Sequence, residues 1–435
     1  MNPVKSSGYF GNRPLVFFSN SQQQHGFQLS KRFSYELPVQ IYMRRVAMGV
    51  SKLFQPIRVG DMLLQHRVVM APLTRFRADS QHVPLPHVVE YYTQRASVPG
   101  TLLISEATYI AQQAGGYPNA PGIWSDAQIS AWKKITEAVH SKGSFIYLQL
   151  WALGRAATHA QLLSEDPSLP YVSASNLPIG DRKDGTVPRA LSLSEIKEYV
   201  QLYATAAHNA VHLAGFDGVE VHGANGYLVD QFLQDVSNIR TDIYGGGPEN
   251  RSRFALEVVE AVVKRVGERK TAIRFSPWST TQGMGMVDPK PTFSYVVGEL
   301  CARYPNLSYI HVIEPRANGT VTVEHVPAGQ SNDFIRQVWG SGDGENDTRL
   351  VSAGGYTRSL GMECADTKGD LIAYGRPFIA NPDLPYRLAN NIKLAIGARK
   401  WYYRYGSTDP KGYTDYPFAG NEPSTEDTFW TESKL

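Results

Sequence analysis

Three side chains with complementary chemistry lie within six positions of one another: His222, Asn225 and Tyr227. They follow Val219–Val221, a short β-branched segment that predicts a strand ending at His222. A neutral imidazole and an amide can both donate hydrogen bonds to one carbonyl or anionic oxygen. A phenol two positions beyond Asn225 can supply a proton. The segment therefore predicts a site that polarises a carbonyl and protonates the attached carbon skeleton. A capped turn carrying a structural histidine is the alternative.

Short apolar segments recur from Arg67 onward, with helical or loop segments between them. They predict eight strands: Val68–Ala71, Thr101–Glu106, Phe145–Leu150, Val219–His222, Ala272–Ser276, Tyr309–Val312, Leu350–Ala353 and Leu371–Tyr374. Mostly apolar strands that alternate with helices predict an α/β fold, a parallel (β/α)8 TIM barrel. Active sites in this architecture lie at the C-terminal ends of the strands. His222 is at such an end.

Capping residues predict where several helices begin and end. We expect one helix to begin after Ser125, one to begin at Ser194 with Glu195 and run to Leu213, and one to span Asn250–Val266. The segment Arg358–Asp370 contains two glycines, and we expect it to form a poor helix.

The composition is that of an ordinary soluble globular protein, with 42% hydrophobic and 19% charged residues among 435. No apolar run is long enough to span a membrane. The two cysteines, Cys301 and Cys364, have no partner spacing that indicates a disulfide framework or a metal site. The net charge is +3, but residues 1–47 carry a balance of +5, which leaves −2 for the rest of the chain. The charge pattern gives no indication of nucleic-acid binding.

The two ends of the chain differ in character from the predicted barrel, which we place at residues 53–420. Residues 1–52 lack a sustained period and could be a transit peptide, a disordered tail, or sequence upstream of a start at Met48. Residues 421–435 form a polar tail that ends in Ser433-Lys434-Leu435, a peroxisomal address. We therefore expect a peroxisomal enzyme, with the cytoplasm as the alternative.

Several separated motifs occur in a characteristic order. They are A-P-L-T-R at 71–75, A-G-G-Y at 114–117, Q-L-W at 149–151, H-G-A-N-G-Y-L at 222–228, S-N-I-R-T-D-I-Y-G-G at 237–246 and Y-G-R-P-F-I at 374–379. From about Leu53 to about Phe418 the chain resembles the old yellow enzyme family of flavin-dependent ene-reductases, with a fungal secondary-metabolism type as the most similar variety. The resemblance implies FMN as the cofactor and NADPH or NADH as the reductant.

The predicted cofactor site has a phosphate corner and a ring site. Glycine loops after strands seven and eight, Gly354–Gly355 and Gly375–Arg376, are the usual place for a phosphate in such barrels. In the more familiar family members a larger residue stands where this chain has Gly355. No G-x-G-x-x-G motif follows a strand, which argues against a Rossmann domain. The resemblance implies that the remaining residues contact the flavin ring: the backbone of Pro72, Leu73 and Ala107, the Thr74 hydroxyl at O4, the Gln149 amide at the pyrimidine edge, and Arg274 near N1 and O2.

The resemblance further implies two half-reactions on one face of FMN. NAD(P)H reduces the flavin and leaves, and an α,β-unsaturated carbonyl or nitro compound then binds in its place. His222 and Asn225 hold its oxygen, and Tyr227 protonates the α carbon. Trp151 and Tyr403 are expected to line the substrate pocket. We expect a monomer or homodimer that acts on small molecules.

Two other functions are alternatives to the reductase. Glu106 and Glu220 lie at or near strand ends, and a pair of carboxylates in a barrel can hydrolyse glycosides. However, Glu220 and His222 should face the same side of their strand, so a structural carboxylate is also possible. A flavin-dependent isomerase is the third possibility. The presence of Tyr227 favours the reductase over it.

Overall fold

The computed structural model describes residues 50–180, 185–319, 321–323, 325–340 and 348–421. Most of the predicted N-terminal extension and nearly all of the predicted C-terminal tail, including Ser433-Lys434-Leu435, lie outside the described residues. The domain boundaries therefore stay predictions.

Eight parallel strands form a closed barrel. In chain order they are β1 (Val68–Met70), β2 (Leu102–Ile104), β3 (Phe145–Trp151), β4 (Gly218–Gly223), β5 (Thr271–Phe275), β6 (Tyr309–Ile313), β7 (Leu350–Ala353) and β8 (Leu371–Tyr374). Each strand pairs with its neighbour along the chain, β8 pairs with β1, and β2 pairs with β3, so the sheet has no free edge. The predicted TIM barrel and all eight of its strands are confirmed, with bounds that differ by three residues at most.

Helices follow the strands around the outside of the barrel. They are α1 (Val88–Arg95), α2 (Asp126–His140), α3 (Leu193–His208), α4 (Pro248–Val266), α5 (Lys290–Arg303), α6 (Asp333–Trp339), α7 (Arg358–Lys368), α8 (Arg376–Ala380) and α9 (Leu384–Ala389). Each of α1 to α7 follows the strand of the same number, and both α8 and α9 follow β8. None of the helices in the described ranges is long and apolar enough to cross a membrane.

Two helix predictions were wrong in detail. Helix α3 is capped by Ser192 and not by Ser194, because the Ser192 hydroxyl accepts the Glu195 backbone N–H while the Glu195 carboxylate accepts the Ser192 N–H. Helix α7, expected to be poor, is regular. The Thr357 hydroxyl accepts a backbone N–H at its start, and Gly369 takes the left-handed conformation that ends it.

The interior of the barrel changes from apolar to polar along its axis. A two-stranded hairpin, Ile57–Val59 with Met62–Leu64, packs with the inward-facing Leu102, Tyr147 and Leu371 in one buried apolar cluster. At the hairpin's turn, Gly60 lies against the backbone of the residues that lead into β5, which places the hairpin at the N-terminal end of the barrel. The polar residues that face inward lie nearer the C-terminal ends of the strands, where the predicted site residues are found.

Candidate active site

His222 lies at the end of β4, and a hydrogen bond from a nearby backbone N–H determines which of its ring nitrogens carries the proton. Its Nδ1 accepts the backbone N–H of Ala224 at 3.3 Å, so the proton of the neutral ring is on Nε2. Burial, the nearby Arg274 guanidinium and His311 hold the pKa of His222 well below its ordinary value. No described residue is a hydrogen-bond partner of Nε2. His222 is therefore a neutral N–H donor available to a ligand.

Asn225 is held in a left-handed backbone conformation, with φ of 57°. Its backbone N–H donates to the Ser276 hydroxyl at 2.8 Å, and its carbonyl accepts the Gln282 amide at 2.8 Å. Both partners belong to the segment that follows β5. Asparagine tolerates this conformation better than most residues. The buried side-chain Oδ1 has no hydrogen-bond partner among the described residues, so the amide group remains open to a ligand.

Tyr227 completes the predicted trio. Its ring centroid lies 4.9 Å from that of His222 and 4.8 Å from that of Trp151, nearly perpendicular to the latter. Burial raises the pKa of Tyr227 well above its ordinary value, so the hydroxyl keeps its proton at neutral pH. The structure thus brings a neutral imidazole and a protonated phenol together. His222 lies three residues before Asn225 in the sequence, and Tyr227 lies two residues after it.

The loop that carries these residues is anchored by Asp230, which the sequence analysis did not single out. Its buried carboxylate accepts the Gly226 N–H at 2.8 Å and the Gln234 side-chain amide at 2.9 Å. Burial raises the pKa of Asp230 to about 7, although these hydrogen bonds oppose the shift. Asp230 is close in sequence to the trio, but its function depends on a chain reversal that spacing alone does not reveal.

An aromatic wall stands beside the trio. Trp151 stacks on Tyr109 with ring centroids 5.1 Å apart, and its ring lies 5.9 Å from that of Tyr117. Tyr403, 39% exposed, lies 6.0 Å from Phe76. The Tyr117 ring lies 6.3 Å from that of Phe76, so Trp151 and Tyr403 belong to one continuous set of rings, as expected for a pocket wall. Sequence reasoning missed the other members, because aromatic residues far apart in sequence give no sign that they meet.

Phe76 also stacks on Tyr405 at 4.3 Å, which extends the wall outward. Tyr405 is 55% exposed. Phe76 has a positive φ of 58°, and its carbonyl accepts the Gly406 N–H at 2.9 Å. The segment near the described C-terminal end thus contributes to the rim of the site.

Four inward-facing polar residues on neighbouring strands form a layer inside the barrel, the polar layer of Gln149, Glu220, Arg274 and His311. The Gln149 amide donates to one Glu220 oxygen at 2.7 Å, and His311 Nδ1 donates to the other at 2.9 Å. Arg274 Nε is buried and has no hydrogen-bond partner among the described residues. The layer therefore holds a buried cation whose hydrogen-bonding capacity is not filled by the protein.

The two carboxylates of the hydrolase alternative are both occupied by structural contacts. Glu220 accepts hydrogen bonds on both oxygens, and Glu106 accepts the backbone N–H of Arg75 at 3.1 Å. Both are almost completely buried. Burial raises the pKa of Glu106 to about 7. This arrangement does not support a pair of carboxylates poised on either side of a sugar bond.

The glycine loops after β7 and β8 converge at one corner. Gly354 and Gly355 both have positive φ, at 120° and 62°. A Cβ on Gly355 would lie 2.9 Å from the Thr322 side chain, and the same threonine hydroxyl accepts Arg376 Nη2 at 2.6 Å. The left-handed backbone explains why glycine stands at position 355. A side chain there would be strained.

The loop after β1 reaches the same corner. Pro72, Leu73 and Thr74 are partly buried at the C-terminal end of β1, and Ala107 is buried after β2. A Cβ on Gly375 would lie 3.3 Å from the Leu73 side chain. The residues predicted to line the cofactor therefore follow strands that are neighbours in the barrel, at one end of it.

The residues at this end fit FMN by their chemistry. A flavin needs polar partners for its pyrimidine edge, and the unpartnered Arg274 Nε and the Gln149 amide lie in the polar layer. A phosphate needs backbone N–H groups without obstructing side chains and a cation, which the glycine corner and Arg376 can provide. Among the described residues no cluster of side chains suits a metal ion.

Comparison with known proteins gives matches along most of the chain. Residues 52–395 match the profile of the NADH:flavin oxidoreductase / NADH oxidase family. A chanoclavine-I aldehyde reductase of Penicillium roqueforti (strain FM164) is 50% identical over 375 residues, covering 85% of this chain and 97% of that protein. A protein of Epichloe festucae var. lolii, named "Probable inactive reductase easA", is 44% identical over 380 residues, covering 86% and 96%. The crystal structure of Old Yellow Enzyme from Pichia sp. AKU4542 superposes with a TM-score of 0.76 at 38% identity, covering 87% and 96%.

Proposed function

Because this chain belongs to the NADH:flavin oxidoreductase / NADH oxidase family, the old yellow enzymes, we propose that it is an FMN-dependent ene-reductase. In this proposal it takes hydride from NAD(P)H and saturates the C=C bond of α,β-unsaturated carbonyl or nitro compounds. The observation that carries the proposal is the meeting of a neutral His222 N–H, the Asn225 amide and the protonated Tyr227 beside one aromatic wall.

The cofactor and the chain divide the chemistry between them. Bound FMN would accept hydride from NAD(P)H and deliver it to the alkene. Arg274 and Gln149 would hold its ring, and the glycine corner with Arg376 would hold its phosphate. The fixed charge of Arg274 favours a negative charge on the pyrimidine edge.

The clamp of His222 and Asn225 acts on the substrate. Both groups donate hydrogen bonds to the carbonyl or nitro oxygen, and these bonds strengthen as negative charge develops on that oxygen. Donors of this type contribute about 3–4 kcal/mol each to the stability of the transition state. Because His222 is neutral, it polarises the oxygen by hydrogen bonding and does not transfer a full proton.

Tyr227 supplies the proton that completes the reaction. Hydride adds to the β carbon, and the α carbon then forms a new C–H bond with the phenolic proton. Solvent returns a proton to the phenolate, because Tyr227 as a residue is only partly buried. The raised pKa of Tyr227 keeps the donor loaded until substrate binds.

The surroundings support a substrate with an apolar, planar body. Aromatic rings line one side of the site and favour flat hydrophobic groups. The Penicillium relative is named for an aldehyde substrate, which supports a carbonyl compound from fungal secondary metabolism here. Some relatives are named as inactive, but this chain retains the clamp and Tyr227, which favours an active reductase over an isomerase.

Spectroscopy tests the proposal directly. The purified protein, supplied with FMN, should be yellow, and anaerobic NADPH or NADH should bleach its flavin absorption. Adding cyclohexenone should restore the colour and yield cyclohexanone in equal amount. A colourless protein that cannot be reconstituted with FMN would refute the cofactor assignment. A flavoprotein that NAD(P)H reduces but enones do not reoxidise would refute the ene-reductase assignment alone.

A further inference from the structure

We propose that Glu220, held in place by His311, is a positioning residue that orients the Gln149 amide and offsets the charge of Arg274. Through these two effects it sets the reduction potential of the bound flavin. The inference rests on the proposed FMN cofactor. It concerns a carboxylate for which the proposed reaction has no direct use.

The contacts of Glu220 are complete and specific. The side chains of Gln149, Glu220 and His311 are at most 1% exposed. Glu220 pairs with Gln149 in the β3–β4 register, and Arg274 pairs with His311 in the β5–β6 register. Each Glu220 oxygen accepts one hydrogen bond, from the Gln149 amide at 2.7 Å and from His311 Nδ1 at 2.9 Å. The carboxylate is therefore fixed by one residue of β3 and one residue of β6.

This geometry determines which way the Gln149 amide faces. A carboxylate only accepts hydrogen bonds, so Gln149 must turn its NH2 group toward Glu220. Its carbonyl oxygen is then presented elsewhere as an acceptor. The pyrimidine edge of a flavin has an N–H group between two carbonyls, and an acceptor with a fixed direction matches that N–H. Without Glu220 the amide could rotate by half a turn and present the wrong group.

The pair of Glu220 and His311 carries one negative charge. Burial and Arg274 lower the pKa of His311 below its ordinary value, against the opposing effect of Glu220, so the imidazole is neutral. Burial acts to raise the pKa of Glu220, but its contacts with His311, the nearby Arg274 guanidinium and the Gln149 hydrogen bond outweigh this effect, so the pKa is lowered and the carboxyl is ionised. Arg274 is thus partly neutralised from within the barrel. In a buried site such charges interact strongly because water does not screen them.

The sign of the effect follows from the charge of the reduced cofactor. Arg274 would stabilise negative charge on the reduced cofactor, and Glu220 would oppose it. A barrel with Arg274 alone would therefore make the flavin easier to reduce but a weaker hydride donor to the alkene. A buried carboxylate is costly to keep unless it is paired. The hydrogen bonds from Gln149 and His311 and the nearby charge of Arg274 offset that cost.

The variant Glu220→Gln tests the charge while keeping the size of the side chain. The full-length protein, reconstituted with FMN, is titrated anaerobically against a reference dye to measure the potential of the bound flavin. We expect the reduction potential of the bound flavin to rise. The size of the rise should correspond to at least about a tenfold change in the ratio of the dissociation constants of oxidised and reduced FMN. For a two-electron couple tenfold corresponds to ~30 mV.

Two further variants separate charge from orientation and from general damage. Glu220→Asp keeps the charge but retracts the carboxylate. The ratio of the dissociation constants of oxidised and reduced FMN should therefore stay within about threefold of the wild-type ratio. FMN itself should dissociate more readily, because Gln149 is released. Asp370→Asn is the matched control, because it neutralises another buried carboxylate, paired with Arg336 just before β8 begins. Its potential should equal that of wild type.

The outcomes distinguish this inference from the proposed function. If Glu220→Gln binds FMN with an unchanged potential, or if Asp370→Asn shifts it equally, the role of Glu220 is refuted while the cofactor assignment stands. If wild type itself binds no FMN, the proposed function fails first. Should Glu220→Gln not fold, Glu220→Asp decides: unaltered FMN affinity would refute the positioning of Gln149, and weakened affinity would support it.

Discussion

The rings of Tyr227 and Trp151 meet at 88° with their centroids 4.8 Å apart, so the edge of one faces the other. Edge-to-face contact of this kind fixes ring orientation as well as distance. Trp151 is itself stacked on Tyr109, which anchors the pair to the strand Thr108–Tyr109 beside β3. The proton donor is thus held by the wall of the pocket, and the loop that carries it is not its only support.

Replacing Tyr227 with Phe should separate the two half-reactions. The ring contacts with Trp151 and His222 remain, but the proton is lost. Reoxidation of the reduced enzyme by cyclohexenone should slow by about 10²–10⁴-fold. Reduction by NADPH needs no proton donor and should stay near normal. Stopped-flow absorbance measures both rates. Equal slowing of both would mean that Tyr227 shapes the pocket and donates no proton.

The double variant His222→Ala with Asn225→Ala should abolish phenolate binding and leave FMN bound. Phenolates held by the clamp stack on the flavin and should give a long-wavelength charge-transfer band in wild type. Each missing donor should also lower turnover of cyclohexenone by about 10²–10³-fold. Absorbance titration with a para-substituted phenol measures the band. Its survival in the double variant would show that the oxygen is held elsewhere.

Truncating the outer wall should change substrate range more than chemistry. In Tyr405→Ala the exposed partner of Phe76 is removed, so KM for an aryl-substituted enone should rise several-fold, while KM for cyclohexenone stays the same. Truncating Trp151, which lies next to Tyr227, should alter kcat as well as range. Steady-state kinetics with both substrates measures the split. Parallel KM changes for both substrates in Tyr405→Ala would contradict the position assigned to this ring.

Adding a methyl group at Gly355 should weaken FMN binding. A Cβ there would lie 2.9 Å from the Thr322 side chain, and alanine would have to adopt the unfavourable positive φ of this position. Gly246→Ala is the matched control, because this glycine also has positive φ but has nothing within 4 Å of the added carbon. We expect the dissociation constant of FMN to rise at least about tenfold in the first variant only, an effect of about 1.4 kcal/mol. Fluorescence titration of apoprotein with FMN measures it, and equal effects in both variants would remove the glycine corner from the site.

Asp230→Asn should change how stability depends on pH. The folded pKa of Asp230 is raised to about 7 by burial, so between about pH 4 and pH 7 the unfolded chain loses a proton that the folded chain keeps. Wild type is therefore progressively destabilised by this group as pH rises through that window. The asparagine variant lacks this contribution. The variant loses the hydrogen bond from Gly226, so its free energy of unfolding should be lower than that of wild type by about 1–3 kcal/mol. This difference should be largest near pH 4 and shrink toward pH 7.

Denaturant unfolding across this pH range measures the difference between variant and wild type. Asp288→Asn, which changes an exposed carboxylate, serves as the control. A deficit that is constant with pH would mean that Asp230 is ionised in the folded protein throughout the range.

Local patterns in the sequence determined most of the fold. The predicted bounds of β7 and β8 agree with the observed strands to the residue. Parallel barrel strands are mostly apolar on both faces and end abruptly at polar or glycine residues, so their ends can be recognised in the sequence. The trio of His222, Asn225 and Tyr227 was also visible, because its members are neighbours along the chain. Helix α7 was underestimated because propensity counts its glycines but not the support of Thr357 and the tertiary packing.

The tertiary structure alone decided which distant residues act on one another. Gln149, Glu220, Arg274 and His311 come from four strands and meet only because the sheet closes. The same closure brings Phe76 to Tyr405 and Leu73 to Gly375. Spacing along the chain encodes the period of a strand or a helix, and it therefore reveals neighbours within an element. Contacts across a barrel depend on register and on side-chain packing between elements, and no local pattern records them.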